Sequence, residues 1–241
     1  MNNLVKFQVK SLFKQKFYLI CLLLSLLLGP IFDFCTNINS SKYETIMVMP
    51  KMVTYLSSAV GLVDIILIVL FCCLDFSEGT LKNVISRGYS KVQVLFSKYI
   101  SCFIGVFSIY LVTFIITLLF FGMNGFGFES SMIYIFIESI FRMIVYVVFF
   151  ATISFVLGKT SFSIITCLFI QNIINLGLTF IDSKFSLGIS KFWLDNIASD
   201  FFIKATLSNM FYVIIGYAIY TAIFIFIGII CVKRKEIKWL S

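Results

Sequence analysis

The sequence predicts an all-α polytopic membrane protein with six transmembrane helices, and three observations carry that prediction. Hydrophobic residues make up 61% of the chain and charged residues 12%, with a mean hydropathy of +1.07, well outside the composition of soluble domains. Six apolar runs each come near the ~20 residues that cross hydrocarbon. Lysine and arginine crowd into alternate connections, the asymmetry that orients such proteins.

The chain reads as one transmembrane domain over residues 1–241. It opens on a basic amphipathic segment, 1–16, in which Val5, Val9, Leu12 and Phe13 share one face and Lys6, Lys10 and Lys14 step along another. Such a helix lies in the membrane interface, held by anionic lipid. No small-x-small cleavage pattern follows, so the segment is not expected to be removed as a secretory signal. The first span covers 17–35, with Pro30 and Asp33 near its outer end, and a polar loop occupies 36–51. The second span, 52–74, leads into a long polar insert, 75–98. The third, 99–122, ends in a glycine-rich turn (Gly122, Gly125, Gly127). The fourth, 132–157, is the longest, and Gly158-Lys159-Thr160 turns tightly into the fifth, 161–181. Residues 182–206 are too polar to span and too apolar for a plain loop. Phe192, Trp193, Leu194 and Ile197 alternate there with Asp195, Asp200 and Lys204, so an extracellular amphipathic or re-entrant helix is expected. The sixth span, 207–232, runs into a basic tail.

Placing both termini in the cytoplasm puts four groups of cations on that side. They are Lys6 to Lys16, Lys82 to Lys98, Lys159, and Lys233 to Lys238; only Lys42, Lys51, Lys184, Lys191 and Lys204 fall outside. The net charge of +8 is therefore a topology signal and does not point to nucleic acid. Histidine is absent, which removes the commonest general base. The seven cysteines have no C-x-x-C spacing and lie in or near apolar runs, so neither a metal site nor a disulfide framework is expected. Gly158-Lys159-Thr160 fails as a phosphate loop, because the glycine required five residues earlier is Ile153. No nucleotide or other cofactor is expected on this chain.

A few polar groups interrupt the spans: Asp64 in the second, Glu138 and Arg142 in the fourth, Gln171, Asn172 and Asn175 in the fifth. They read either as helix–helix glue or as the lining of a central cavity. Glu138 and Arg142 are in the favourable order for an i,i+4 pair. Asp64 and Arg142 fall at matching depths, roughly 16 Å and roughly 15 Å below the outer edge at 1.5 Å per residue. Asp64, Glu138 and Arg142 thus form an expected intramembrane charge cluster, with Arg142 bridging both acids.

The insert 75–98 reads as two helices parted by a glycine. Leu81, Val84 and Ile85 make an apolar stripe, Gly88 suits the left-handed closure, and Ser90 with Gln93 forms a capping box. Its segment Ser-Glu-Gly-Thr-Leu-Lys-Asn-Val-Ile-Ser-Arg-Gly-Tyr-Ser-Lys (77–91), running on to Phe96-Ser97-Lys98, resembles the first cytoplasmic loop of ABC-2-type permeases. The likeness is nearest to the branch that handles bacteriocins, lantibiotics and phenol-soluble modulins. Lys91 stands where that family often has arginine. The motif covers about a tenth of the chain.

The resemblance implies that 1–16 is a connecting helix and that Glu78, Gly79, Thr80, Leu81, Asn83, Arg87 and Lys91 form a coupling element against a separate ATPase. That partner would hold ATP and Mg. It also implies a second permease chain, either a homodimer or a sister subunit, with spans two and five along the path, which singles out Asp64, Asn172 and Asn175. The element between spans five and six would cap the exit. The expected activity is ATP-driven export of amphipathic or hydrophobic peptides from the cell membrane, with no catalysis on this chain. A channel or secondary transporter without an ATPase is the first alternative, although no inverted repeat is evident; a membrane-embedded enzyme is the second.

Overall fold

The computed structural model describes residues 1–37, 61–75, 80–123, 131–194, 196–198 and 207–234, and among them there is no strand. Helix α1 (Asn2–Lys14) is parted from α2 (Lys16–Asn37) by extended backbone at Gln15. Residues 61–75 form α3, and α4 (Thr80–Ser86) is a single short helix. Four long helices follow: α5 (Lys91–Met123), α6 (Ser131–Leu157), α7 (Thr160–Phe185) and α8 (Leu207–Arg234).

Four stretches among the described residues are long and apolar enough to cross a membrane: Lys91–Ile116, Ile133–Leu157, Thr160–Phe185 and Leu207–Arg234. They overlap expected spans three to six, the third beginning at Lys91 and not at 99, and the chain is a helical membrane protein. Of the first two expected spans, Lys16–Leu27 is a shorter apolar helix. Helix α3 is the latter part of 52–74, whose beginning lies outside the described residues.

Local chemistry sets the boundaries. Gly88 has φ +88° and its amide closes α4 on the Ile85 carbonyl at 2.9 Å. The capping box forms reciprocally: the Gln93 amide donates to Ser90 Oγ at 3.2 Å and the Ser90 amide to Gln93 Oε1 at 2.9 Å. Within the helices, buried Ser97, Ser101, Thr113, Ser139 and Ser154 return their hydroxyls to carbonyls one turn back, so these polar groups enter the interior satisfied.

Helix α6 is the axis of the bundle, packed against α5, α7 and α8. Over its span 56% is buried, against 6% for α7, whose outer ridge of Phe162, Ile165, Phe169, Ile173, Leu176 and Phe180 is bare. The larger apolar cluster joins α1, α3, α5 and α6 through Leu12, Leu67, Phe71, Leu95 and Phe150. We call that end basal. The smaller cluster, at the distal end, joins Ile135 and Val145 of α6 to Met210, Val213 and Tyr217 of α8.

Two expectations are revised here. Helix α1 buries Leu4, Gln8 and Leu12, whereas Val5 and Val9 are half-buried and Phe13 is exposed. The helix has a protein-facing side as well as a surface-facing one, so its apolar residues divide between the two. Leu12 reaches within 2.9 Å of where a Cβ on Gly105 would stand, and α1 crosses α5 at that bare point. In the second revision, the described part of 182–206 is a capped turn, not an amphipathic helix. Helix α7 continues to Phe185, Ser186 ends it in the left-handed region (φ 52°), and a 3-10 turn spans Ile189–Phe192. The Asp182 carboxylate accepts the Ile189 amide at 2.8 Å and the Ser190 amide at 2.6 Å, which fixes the turn. Trp193, Leu194 and Ile197 then bury themselves in the distal cluster. Asp195 and 199–206 lie outside the described residues.

Candidate functional site

At the basal end, Lys98 of α5 is fully buried. Its Nζ lies 2.8 Å from Asp75 Oδ2 at the end of α3, donates to the Phe71 carbonyl at 2.9 Å, and stands 3.6 Å over the Phe71 ring. Gln8 of α1 donates to the same Asp75 oxygen at 3.3 Å, and the Thr80 hydroxyl that opens α4 reaches the Asp75 carbonyl at 3.5 Å. The ion pair thus gathers α1, α3 and α5, and the Asp75 main-chain carbonyl adds α4. Neither Lys98, which reads as one more loop cation, nor Asp75 stands out as a site in the sequence. The available signal is register: Lys98 follows Val94 and Leu95 on the face that α5 buries.

Around this node, Val84 of α4 is buried and Leu81 and Ile85 are half-buried, while Asn83, Ser86 and Arg87 face outward. Lys91 opens α5 and is half-buried. Glu78 and Gly79 lie outside the described residues.

Towards the middle of the bundle, α3, α5, α6 and α7 surround a cavity of about 250 Å³. Asp64, Tyr110, Ser139, Arg142, Tyr146, Gln171 and Asn172 supply its polar groups; Ile65, Ile68, Val106, Met143 and Phe150 supply apolar wall. Asp64 Oδ1 and the Tyr110 hydroxyl are buried without a hydrogen-bond partner. Gln171 donates to the Tyr146 hydroxyl at 3.1 Å, and Asn172 to its own helix at Leu168 O, 3.3 Å away.

Arg142 Nε lies 3.6 Å from Glu138 Oε1, and the same oxygen accepts the Tyr217 hydroxyl of α8 at 2.8 Å. Glu138 is fully buried, so these two contacts hold a carboxylate between α6 and α8. The structure therefore contains the expected Glu138–Arg142 pair, adds Tyr217 to it, and sets Asp64 on the cavity that Arg142 also lines. Asn175 is elsewhere: its Oδ1 accepts Asn196 Nδ2 at 2.9 Å and ties the distal turn to α7. Tyr110, Tyr146 and Tyr217 carry no signal in the sequence, because tyrosines are common throughout the spans.

Chemically, the cavity offers a carboxylate, a guanidinium, side-chain amides and phenols inside apolar walls. Such a lining can hold a polar group by charge-assisted hydrogen bonds at membrane depth. Among the described residues, no cluster of three or more acidic, cysteine or histidine side chains could hold a metal ion.

No curated protein matches this chain. The family model described as "Protein of unknown function (DUF2705)" matches residues 9–238, nearly the whole sequence, and the chain belongs to that family.

Proposed function

We propose that this chain is the permease subunit of an ATP-driven exporter of the ABC-2 type, moving amphipathic or hydrophobic peptides out of the cell or membrane. In this reading the basal end is cytoplasmic. A separate ATPase, carrying ATP and Mg, engages α4 and α1, and a second permease chain completes the path. The observation that supports it is the Asp75 node. The amphipathic helix and the ends of two bundle helices meet on the half-buried Asp75 carboxylate, and the start of α4 bonds the Asp75 main-chain carbonyl. A push on α4 or α1 is then felt at once by α3 and α5. Asp64 stands eleven residues along α3 from Asp75, roughly 16 Å at 1.5 Å per residue, and Val106 and Tyr110 of α5 line the same cavity. Moving the basal ends of α3 and α5 changes the cavity around Asp64 and Arg142.

The test is to purify the tagged chain from its native membrane and ask whether an ATPase accompanies it. Glu78→Ala and Arg87→Ala should each leave the chain inserted and reduce peptide-stimulated ATP hydrolysis. Undiminished hydrolysis in both variants rejects α4 and its flanks as the coupling element. Transport by the chain without any ATPase favours the alternative, a channel or secondary transporter.

A further inference from the structure

A second site lies outside the central cavity, where α1 crosses α5. Val5, Lys6, Val9 and Lys10 of α1 face Ile100 and Ile104 of α5 across an open groove of about 610 Å³. Its chemistry is divided. One rim carries two exposed lysines, and the floor is aliphatic. No Asp or Glu occurs before Asp33, so nothing on α1 neutralises the rim, and the nearby Asp75 is already engaged by Lys98. The apolar floor continues along α5: Ile104, Phe107, Leu111 and Ile115 follow at helical spacing, each half-buried or exposed. From Ile100 to Ile115 that track runs roughly 22 Å at 1.5 Å per residue, longer than the ~15 Å of hydrocarbon in one leaflet.

We propose that this groove is a binding site for an anionic phospholipid. Lys6 and Lys10 hold the headgroup phosphate, and one acyl chain lies along Ile100, Ile104 and the α5 track. The occupant is a lipid because the floor of the groove, Ile100 and Ile104, belongs to a membrane-spanning helix, and that apolar floor leads into the bilayer and not towards solvent. The site would fix the depth and angle of α1, and through Gln8 the Asp75 node, to the charge of the surrounding leaflet. It stands independently of the transport reading.

The test uses the purified full-length chain and native mass spectrometry, titrating dioleoyl phosphatidylglycerol against dioleoyl phosphatidylcholine. The wild type should retain phosphatidylglycerol preferentially. Each lysine near an anionic surface is worth roughly fivefold in affinity, so Lys6→Gln/Lys10→Gln should remove most of the preference. Lys14→Gln/Lys16→Gln makes the same change in net charge outside the groove and should leave it in place. Ile104→Trp, which fills the floor, should lower retention of both lipids. Equal losses in the two lysine pairs would reduce the effect to diffuse attraction and overturn the site. Absence of any preference in the wild type, or full retention in Ile104→Trp, would also overturn it and leave the groove to a protein partner.

Discussion

Lys98 is held where an isolated ammonium could not stay: no part of its side chain reaches the surface, and Asp75, the Phe71 carbonyl and the Phe71 ring replace its water. Breaking such a pair from one side strands the other charge and costs about 3–5 kcal/mol, whereas removing both partners costs much less. Asp75→Asn, which strands the fully buried ammonium, should therefore lower the unfolding temperature in detergent more than Asp75→Asn/Lys98→Met together. The same reasoning applies to Glu138, which loses its guanidinium partner in Arg142→Met and should be partly rescued by Glu138→Gln in that background. Asp64 is coupled to Arg142 through space. Both side chains line one cavity, so Asp64→Asn and Arg142→Met should show a coupling of about 0.5–3 kcal/mol in a double-mutant cycle. Additivity within ~0.5 kcal/mol would show that the cavity does not couple them. The Glu138–Arg142 pair was legible because it is local, four residues apart on one helix. Lys98–Asp75 and Glu138–Tyr217 were not, because hydropathy treats every charge in a flanking loop as solvated, and nothing in a sequence says which tyrosine on a distant helix faces an acid.

Among the elements, α4 and the start of α5 follow their sequence most closely. Gly88 and the Ser90–Gln93 box are complete within a few residues, so tertiary packing had little to override. Ser90→Ala removes the acceptor for the Gln93 amide and should cost about 0.5–2 kcal/mol of helix stability. Hydrogen exchange over 90–95 should speed up while exchange in α6 stays unchanged. Helix α1 departs further from its sequence because a periodic pattern reveals an amphipathic helix but not how many surfaces it must meet. Its seat depends on one missing side chain on α5: Gly105→Ile would drive a branched group into Leu12. That change should release α1, seen as proteolysis after Lys6 or Lys10 in an otherwise inserted protein. Unaltered protection of α1 would contradict the packing. The distal stretch was the least legible, since Asp182 looks like a stray charge until its two backbone partners are seen.

For the molecule as a whole, most of the described cations gather at one end. Helix α1 brings Lys6, Lys10 and Lys14, Arg87 follows α4, Lys159 sits at the α6–α7 turn, and α8 ends at Lys233 and Arg234. Gly228 of α8 lies against Tyr99 and Leu95 of α5, which fixes the last turns of α8 to that same end. Lys191 is exposed on the opposite, distal turn. In a background without the seven native cysteines, Lys191→Cys should react with impermeant thiol reagents in intact cells, and Lys159→Cys only after the membrane is opened. The reverse pattern would invert the proposed orientation.

The Asp75–Lys98 pair also bears on how the chain is made. The two residues are close in sequence, and both leave the ribosome before α6 exists. Helices α3 and α5 can thus pack together with their opposite charges already cancelled. Gln8, which shares the same carboxylate, is synthesised long before either. Helix α1 must therefore wait at the surface until α5 arrives, and the first segment made is among the later ones to find its place.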